Sequence, residues 1–320
     1  MLCMCFVFLL ILVNRINNKC NFDVSLTFII YRMSSTDIAI NAVVIQYVNY
    51  VYIAILIVGS IGNCFNILVF TNFKLFHRNQ SAFYLSVEST VNIIALIYNL
   101  FNARTQYPDG QHLVDYSLVW CKLRSVFDQM IQLLPYSIIC YAAFDQILCT
   151  SHSYTLRQMS TFKLAQRLIF LSICVTILHS FLAIFWLMII PSVGCLTNNQ
   201  YMLNYYLYFY YPVLVGILPI LFASLFSLIA FRNVRHIVRL QVPIVRRNLD
   251  QQLTAMIFMR VIIFVATYIS YVVYRIYTLV KLASSNYDIP FLFDQIMQTS
   301  VVLCKNIDYA VSFLLLFIFI

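Results

Sequence analysis

The sequence predicts an all-α membrane protein, a bundle of seven transmembrane helices. Of its 320 residues, 62% are hydrophobic and only 10% are charged, and the mean hydropathy is +0.87, unlike a soluble domain. Long apolar runs with only five glycines favour helices of about 20 residues over the short alternating strands of a membrane β-barrel. The expected surroundings of the chain are therefore a lipid bilayer.

Seven apolar segments, separated by polar or charged stretches, are the predicted helices. They cover residues 43–72, 81–103, 115–148, 168–190, 206–231, 253–281 and 289–320. The fourth and fifth are the clearest, because no charged residue occurs between Arg167 and Arg232, and Pro191 and Gly194 mark the turn between them. The sixth carries two internal arginines.

Those arginines, Arg260 and Arg275, lie 15 residues apart in the sequence. In an α-helix this separation is roughly 22 Å along the axis. Each side chain is therefore expected to snorkel toward an opposite face of the membrane.

Lysines and arginines concentrate in alternate loops. The loops after the first, third and fifth predicted helices contain Lys74, Arg78, Arg157, Lys163, Arg167, Arg232, Arg235, Arg239, Arg246 and Arg247. Because basic loops remain in the cytoplasm, the amino terminus is expected outside the cell. The net charge of +9 then reflects topology, and nucleic acid is not an expected partner.

Residues 1–40 are expected to be an extracellular amino-terminal segment, and residues 41–320 the seven-transmembrane domain. The first 13 residues, MLCMCFVFLLILV, are apolar without a basic flank ahead of them. Two interpretations of residues 1–32 stay open: a poor signal peptide, or upstream sequence joined to a chain that starts at Met33. The second is favoured.

Several motifs resemble those of rhodopsin-like (class A) G-protein-coupled receptors. The first helix contains GSIGNCFNILVF (59–70), with a Gly-Asn pair at Gly62 and Asn63. The third ends on Asp145 and Gln146, and Gln146 stands 25 residues after Cys121, where the family has the arginine of an acidic-Arg-aromatic triplet. Pro219 is similar to the family proline of helix 5.

The resemblance departs from the family pattern in the last two helices. Helix 6 of the family has a tryptophan followed two residues later by a proline, whereas ATYISY (266–271) supplies Tyr268 and no proline. Helix 7 lacks the Asn-Pro-x-x-Tyr motif in DYAVSFLLLFIFI (308–320). Such departures resemble the divergent receptor sets of invertebrates.

The resemblance implies a multi-pass plasma-membrane receptor. Its partners would be an extracellular ligand, either a peptide or an amine, and a heterotrimeric G protein, and no cofactor is implied. It also implies a disulfide between Cys121 and Cys195. The alternatives are a seven-helix channel or transporter, and a decayed receptor without a signalling role.

The candidate ligand-binding residues are Asp128, Gln132, Tyr268 and Lys305. Asp128 lies seven residues after Cys121, where amine receptors place the aspartate that pairs with the ligand ammonium. It has a second interpretation, an internal ion pair with Lys305. A retinal-binding lysine, as in opsins, is a further alternative for Lys305, but the motifs around it do not match.

The candidate coupling residues are Asp145, Gln146, Arg157, Arg232 and Arg235. Since Gln146 is uncharged, Asp145 cannot pair with it as the family aspartate pairs with arginine. Asp145 is expected either to pair with Arg157 or Lys163 or to be a solvated carboxylate.

Asn63 and Asn92 have an expected structural role because amides hydrogen-bond between membrane helices, and Pro219 has one because it resembles the family proline of helix 5. The sequence contains no Walker loop, HExxH motif or metal-spaced cluster, so neither an enzyme nor a metal site is predicted.

Overall fold

The computed structural model describes residues 35–73, 79–104, 117–151, 153–190, 194–197, 199–237, 244–283 and 291–311. The predicted amino-terminal segment 1–32 and residues 312–320 lie outside this part of the chain. The helices are α1 (Ser35–Asn72), α2 (Gln80–Arg104), α3 (Leu118–Thr150), α4 (Tyr154–Met159), α5 (Phe162–Ile184), α6 (Gln200–Tyr205), α7 (Leu218–Ile237), α8 (Ile244–Ala283) and α9 (Phe291–Val311). A π-helical stretch, Tyr206–Ile217, joins α6 to α7.

The described helices are compatible with a membrane protein of the predicted all-α class. Six spans are long and apolar enough to cross a bilayer: Tyr50–Asn72, Gln80–Asn102, Leu118–Thr150, Phe162–Leu182, Gln200–Val234 and Gln251–Thr278. Large apolar side chains such as Ile57, Phe170 and Leu178 are exposed on the outer surface of the bundle. Exposed apolar surface of this extent suits contact with lipid tails.

The central helix is α3, which packs against α2, α5, α7 and α8. It begins after Ser117, whose hydroxyl accepts a hydrogen bond from the Trp120 amide at 3.4 Å. Pro135 lies inside α3 and has no amide hydrogen to donate to the Ile131 carbonyl four residues earlier. The Tyr309 hydroxyl of α9 donates to that carbonyl instead, at 3.3 Å, so the proline also fixes a contact between helices.

The predicted fourth helix ends earlier than expected. In place of helix up to residue 190, strands β1 (Leu187–Ile190) and β2 (Gly194–Thr197) form an antiparallel hairpin in which Ile189 pairs with Cys195. The physical reason is Pro191, because a residue that precedes proline is disfavoured in the helical region.

The predicted fifth helix begins earlier than expected and changes its winding. Pro212 lies within the π-helical stretch, where the absence of its amide hydrogen interrupts regular α-helical bonding. Pro219 is the second residue of α7 and follows the π-helical stretch directly; the Leu218 amide still donates to the Val213 carbonyl, and Pro219, without an amide hydrogen, cannot continue that bonding. Its carbonyl accepts a hydrogen bond from the Cys140 thiol of α3 at 3.6 Å.

Candidate functional site

The two ends of α3 carry different functional groups, and a disulfide bond joins one end to strand β2. Cys121, in the first turn of α3, is bonded to Cys195 on β2, with their Cα atoms 5.6 Å apart. The pairing predicted from the family resemblance is therefore present. It holds the β1–β2 hairpin against α3, and we call this side of the bundle the disulfide end.

Asp128 lies toward the disulfide end and already has partners. Its Oδ1 accepts a hydrogen bond from the Tyr98 hydroxyl at 2.9 Å, and its Oδ2 lies 3.7 Å from Nε of Arg124. About half of its side chain, 51%, is exposed. Its direct ion pair is thus with Arg124, one helical turn away on α3 itself, and Asp128 interacts with Lys305, its alternative partner from the sequence, only at longer range.

Lys305 and Arg275 both lie against the ring of Tyr271. The Lys305 ammonium is 4.8 Å from the centre of this ring, and the Arg275 guanidinium carbon is 5.3 Å from it. Nε of Arg275 also donates to the Tyr271 hydroxyl at 2.9 Å. Both cations are half-buried, and within the described residues neither forms an ion pair.

The two other predicted ligand residues belong to a neighbouring cluster of tyrosines. Gln132 is buried, and its Oε1 accepts from the Tyr210 hydroxyl at 3.4 Å, while its Nε2 has no hydrogen-bond partner in the structure. Tyr268 is buried in an aromatic stack, with its ring centre 4.1 Å from that of Tyr136 and 5.5 Å from that of Tyr271. The predicted ligand residues of α3, α8 and α9 therefore lie in the same region of the bundle, with Asp128 at its rim.

The opposite end of α3 carries Asp145, which is buried with 2% of its surface exposed. Its Oδ1 accepts from the Ser160 hydroxyl at 2.8 Å, and its Oδ2 is 3.8 Å from the Cys149 thiol. The expected pairing with Arg157 or Lys163 is wrong, since both are exposed and the carboxylate uses a neutral hydroxyl of the same connecting segment. The solvated alternative is also wrong. We call this side of the bundle the Asp145 end.

Gln146 connects three helices at the Asp145 end. Its Nε2 donates to the Ser81 hydroxyl of α2 at 2.6 Å, and its Oε1 accepts from the Thr254 hydroxyl of α8 at 2.9 Å. An amide can make both bonds because it carries a donor and an acceptor, whereas the guanidinium of an arginine carries donors only. Glutamine is therefore a neutral link between α2, α3 and α8, at the position where the family resemblance expects arginine.

The other predicted coupling residues make no such contacts. Arg157 on α4 and Arg232 on α7 are exposed, while the side chain of Arg235 lies outside the described part of the structure.

A buried ionic cluster, which the sequence analysis did not predict, lies between the two ends. Nε of Arg260 on α8 is 2.6 Å from Glu88 Oε1 on α2, and Nη1 and Nη2 lie 2.5 and 3.2 Å from the two Asp308 oxygens on α9. All three residues are at most 3% exposed. The expected snorkelling of Arg260 is wrong, because two carboxylates from neighbouring helices hold it inside the bundle.

Two asparagines support the interior near this cluster. Nδ2 of Asn63 donates to the Gly59 carbonyl at 2.8 Å and to the Tyr309 carbonyl at 3.0 Å, and so holds α1 against α9. Asn92 is fully buried and forms a side-chain hydrogen bond with Glu88. Both agree with the structural role predicted for buried amides between membrane helices.

Comparison of the sequence with protein-family models finds no matching family, and comparison with curated proteins finds no relative. In the described residues there is also no group of three or more His, Cys, Asp or Glu side chains that could hold a metal ion.

A signal for the ionic cluster does exist in the sequence. Ionisable residues within apolar helices are costly and usually pair inside the bundle, and Glu88, Arg260 and Asp308 are such residues on three different helices. The sequence alone did not indicate that they lie at the same depth. That depends on how the helices are staggered.

Proposed function

We propose that this chain is a plasma-membrane receptor of the rhodopsin-like, G-protein-coupled type. In this proposal it crosses the membrane seven times with its amino terminus outside, binds an extracellular ligand toward the disulfide end and activates a heterotrimeric G protein at the Asp145 end. The ligand acts by binding one of two helix arrangements better than the other.

The observation that carries the proposal is the division of α3 into two functional ends. Cys121 and Asp145 are 24 residues apart, or about 36 Å along a helix, which exceeds the roughly 30 Å of a bilayer core. A disulfide favours the oxidising, extracellular side. The link through Gln146, made of hydrogen bonds between neutral groups, would then lie at the cytoplasmic face, where a change in helix packing can be sensed by a cytosolic protein.

In this proposal α9 is the seventh span, although it carries three charged residues, Asp294, Lys305 and Asp308, and is not among the six spans named above. Its 21 residues correspond to about 31 Å, enough to cross a bilayer core. Asp308 is paired with Arg260, and Lys305 lies against Tyr271, so these two charges face the bundle interior instead of lipid. A helix with interior charges can span a membrane when its other faces meet lipid or protein.

A channel or transporter is the alternative from the sequence analysis. Such proteins line a path with several buried charges or interrupted helices. Of the four charged residues that are buried in the described part of the chain, Arg260, Glu88 and Asp308 are paired with one another in a single cluster, and Asp145 accepts from the Ser160 hydroxyl. That arrangement favours a structural contact over an ion path.

The proposed orientation is tested by epitope tags on intact cells. A tag ahead of Ser35 should be reached by antibody without permeabilisation, whereas a tag between Ile237 and Ile244 should be reached only after it. The basis is the excess of lysine and arginine in alternate loops. A tag between Arg104 and Ser117 serves as a second external control. The opposite accessibility would remove the receptor proposal, because G proteins are cytosolic.

The proposed switch is tested by Gln146→Leu, which removes both hydrogen bonds that link α3 to Ser81 and Thr254. Each bond contributes about 1 kcal/mol, so the loss of both should shift the equilibrium toward separated helix ends by up to about 30-fold. Basal G-protein activation without ligand should rise accordingly, at matched surface expression.

Thr150→Val is the matched control for this experiment. The Thr150 hydroxyl donates to the Gln146 carbonyl within α3, at 2.6 Å, so its loss leaves the contacts between helices in place. Basal activity should stay at the wild-type level in Thr150→Val. Equal basal activity in Gln146→Leu and wild type would show that the link does not restrain the signalling state.

A further inference from the structure

We propose that the ligand carries a carboxylate, which Arg275 and Lys305 bind beside Tyr271. This inference deepens the proposed function and depends on it for the location of the ligand. It replaces the amine expected from the position of Asp128 with a ligand of opposite charge.

The first argument is the charge balance around Tyr271. Asp128 is the nearby carboxylate, and it forms its ion pair with Arg124. Arg275 and Lys305 form no ion pair with any residue that the structure describes. Two cations within 5.3 Å of the centre of one ring therefore have no described carboxylate in direct contact, although both interact with the charge of Asp128 at longer range.

Aromatic contacts alone are a weak substitute for an anion. A tyrosine ring attracts a cation, but less strongly than a carboxylate does in a partly dry site. Removing a charge from water is costly, so half-buried cations are usually paired or functional. An anionic group that entered between Arg275 and Lys305 would therefore stabilise the charge of both.

The second argument is the free hydrogen-bonding capacity of the cluster. Arg275 uses Nε for the Tyr271 hydroxyl, and within the described residues its terminal nitrogens donate no hydrogen bond. Those two nitrogens form the fork that binds a planar carboxylate through two parallel bonds. Nε2 of the buried Gln132 is a further donor without a partner, in the neighbouring tyrosine cluster.

An ammonium ligand fits this arrangement poorly. It would meet two like charges at Tyr271, and the carboxylate that could attract it is already engaged by Arg124 and Tyr98. The tyrosine rings around the two cations instead suit an apolar or aromatic body attached to the carboxylate.

The test is thermal unfolding of the purified full-length protein in detergent, followed by the reaction of half-buried cysteines outside the disulfide, such as Cys140, with a thiol dye. The probes are phenylacetate, indole acetate and decanoate at millimolar concentration, each with its primary amide. Phenethylamine tests whether a cation binds instead, and phenyl phosphate tests whether the site takes a phosphate in place of a carboxylate. A ligand that binds only the folded state raises the unfolding temperature.

We expect at least one carboxylate to raise the unfolding temperature by a few degrees, and its amide to have little effect. Arg275→Gln and Lys305→Gln should each abolish the rise, whereas Arg167→Gln, an exposed arginine on α5 that serves as the control, should keep it. Arg275→Lys and Lys305→Arg retain the charge and should keep part of the rise. The wild-type comparison of acid with amide needs no variant, so it remains decisive even if a variant fails to fold.

Four results would overturn the inference: no stabilisation by any of the carboxylates, equal stabilisation by the amides, stabilisation by phenethylamine or phenyl phosphate alone, or a rise unchanged in both Gln variants. The assay contains no G protein, so it separates the two proposals. Carboxylate binding without G-protein activation in cells would retain the anion site and remove the receptor proposal. G-protein activation by an amine, with no effect of carboxylates, would retain the receptor proposal and remove the anion site.

Discussion

Replacing Arg260 by methionine should destabilise the bundle by about 3–5 kcal/mol, because it leaves two buried carboxylates without their cation. Arg260 joins Glu88 on α2 to Asp308 on α9 and is only 1% exposed. The expected result is a large loss of protein from the cell surface and a lower unfolding temperature in detergent. Both are measured against wild type.

The combined change Arg260→Met, Glu88→Gln and Asp308→Asn tests whether charge is the reason. Removing all three charges leaves no unpaired ion, so most of the lost stability should return. Arg232→Met, at an exposed position, is the control and should have little effect. If Arg260→Met were as stable as wild type, or if the triple variant were no better than the single one, the cluster would not be a major source of stability.

Loss of the disulfide should have an effect of similar size. Cys121→Ser and Cys195→Ser each remove the bond that holds the β1–β2 hairpin to α3, and the loss of a native disulfide typically costs about 2–5 kcal/mol. Surface expression should fall in both. The double variant should be little worse than either single variant, because all three lack the same bond.

Cys174→Ser is the matched control for the disulfide, since Cys174 is an exposed, free cysteine on α5. It should leave surface expression at the wild-type level. Additive losses in the Cys121 and Cys195 variants would mean that the two cysteines act independently and would contradict the bond.

Hydropathy identified the helices of this protein because membrane helices satisfy their backbone hydrogen bonds internally and must be apolar outside. The predicted segments 81–103 and 115–148 differ from α2 and α3 by only a few residues at each end. Strand β1 (Leu187–Ile190) was predicted to be helical because its residues are as apolar as those of a membrane helix. Pro191 alone indicated that the fourth predicted helix ends early. Composition distinguishes polar from apolar stretches better than helix from strand.

The candidate site was harder to predict, because its contacts depend on how the helices are rotated and staggered. The position of Asp128 suggested a ligand cation, yet Arg124, one turn earlier, supplies the ion pair. Asp145 was expected to need a charged partner, whereas burial beside Ser160 gave it a neutral one. Arg275 was assigned to the membrane face, and the sequence does not indicate that it lies against the same ring as Lys305.

The central claim, that this is a receptor coupled to a G protein, is tested most directly in cells that express the full chain. Amine, peptide and carboxylate libraries are applied while heterotrimer dissociation and membrane current are recorded together. The account predicts ligand-dependent dissociation of the G protein without a ligand-gated current, and no response in cells that lack the protein. A ligand-gated current without any G-protein activation would contradict it and favour a channel.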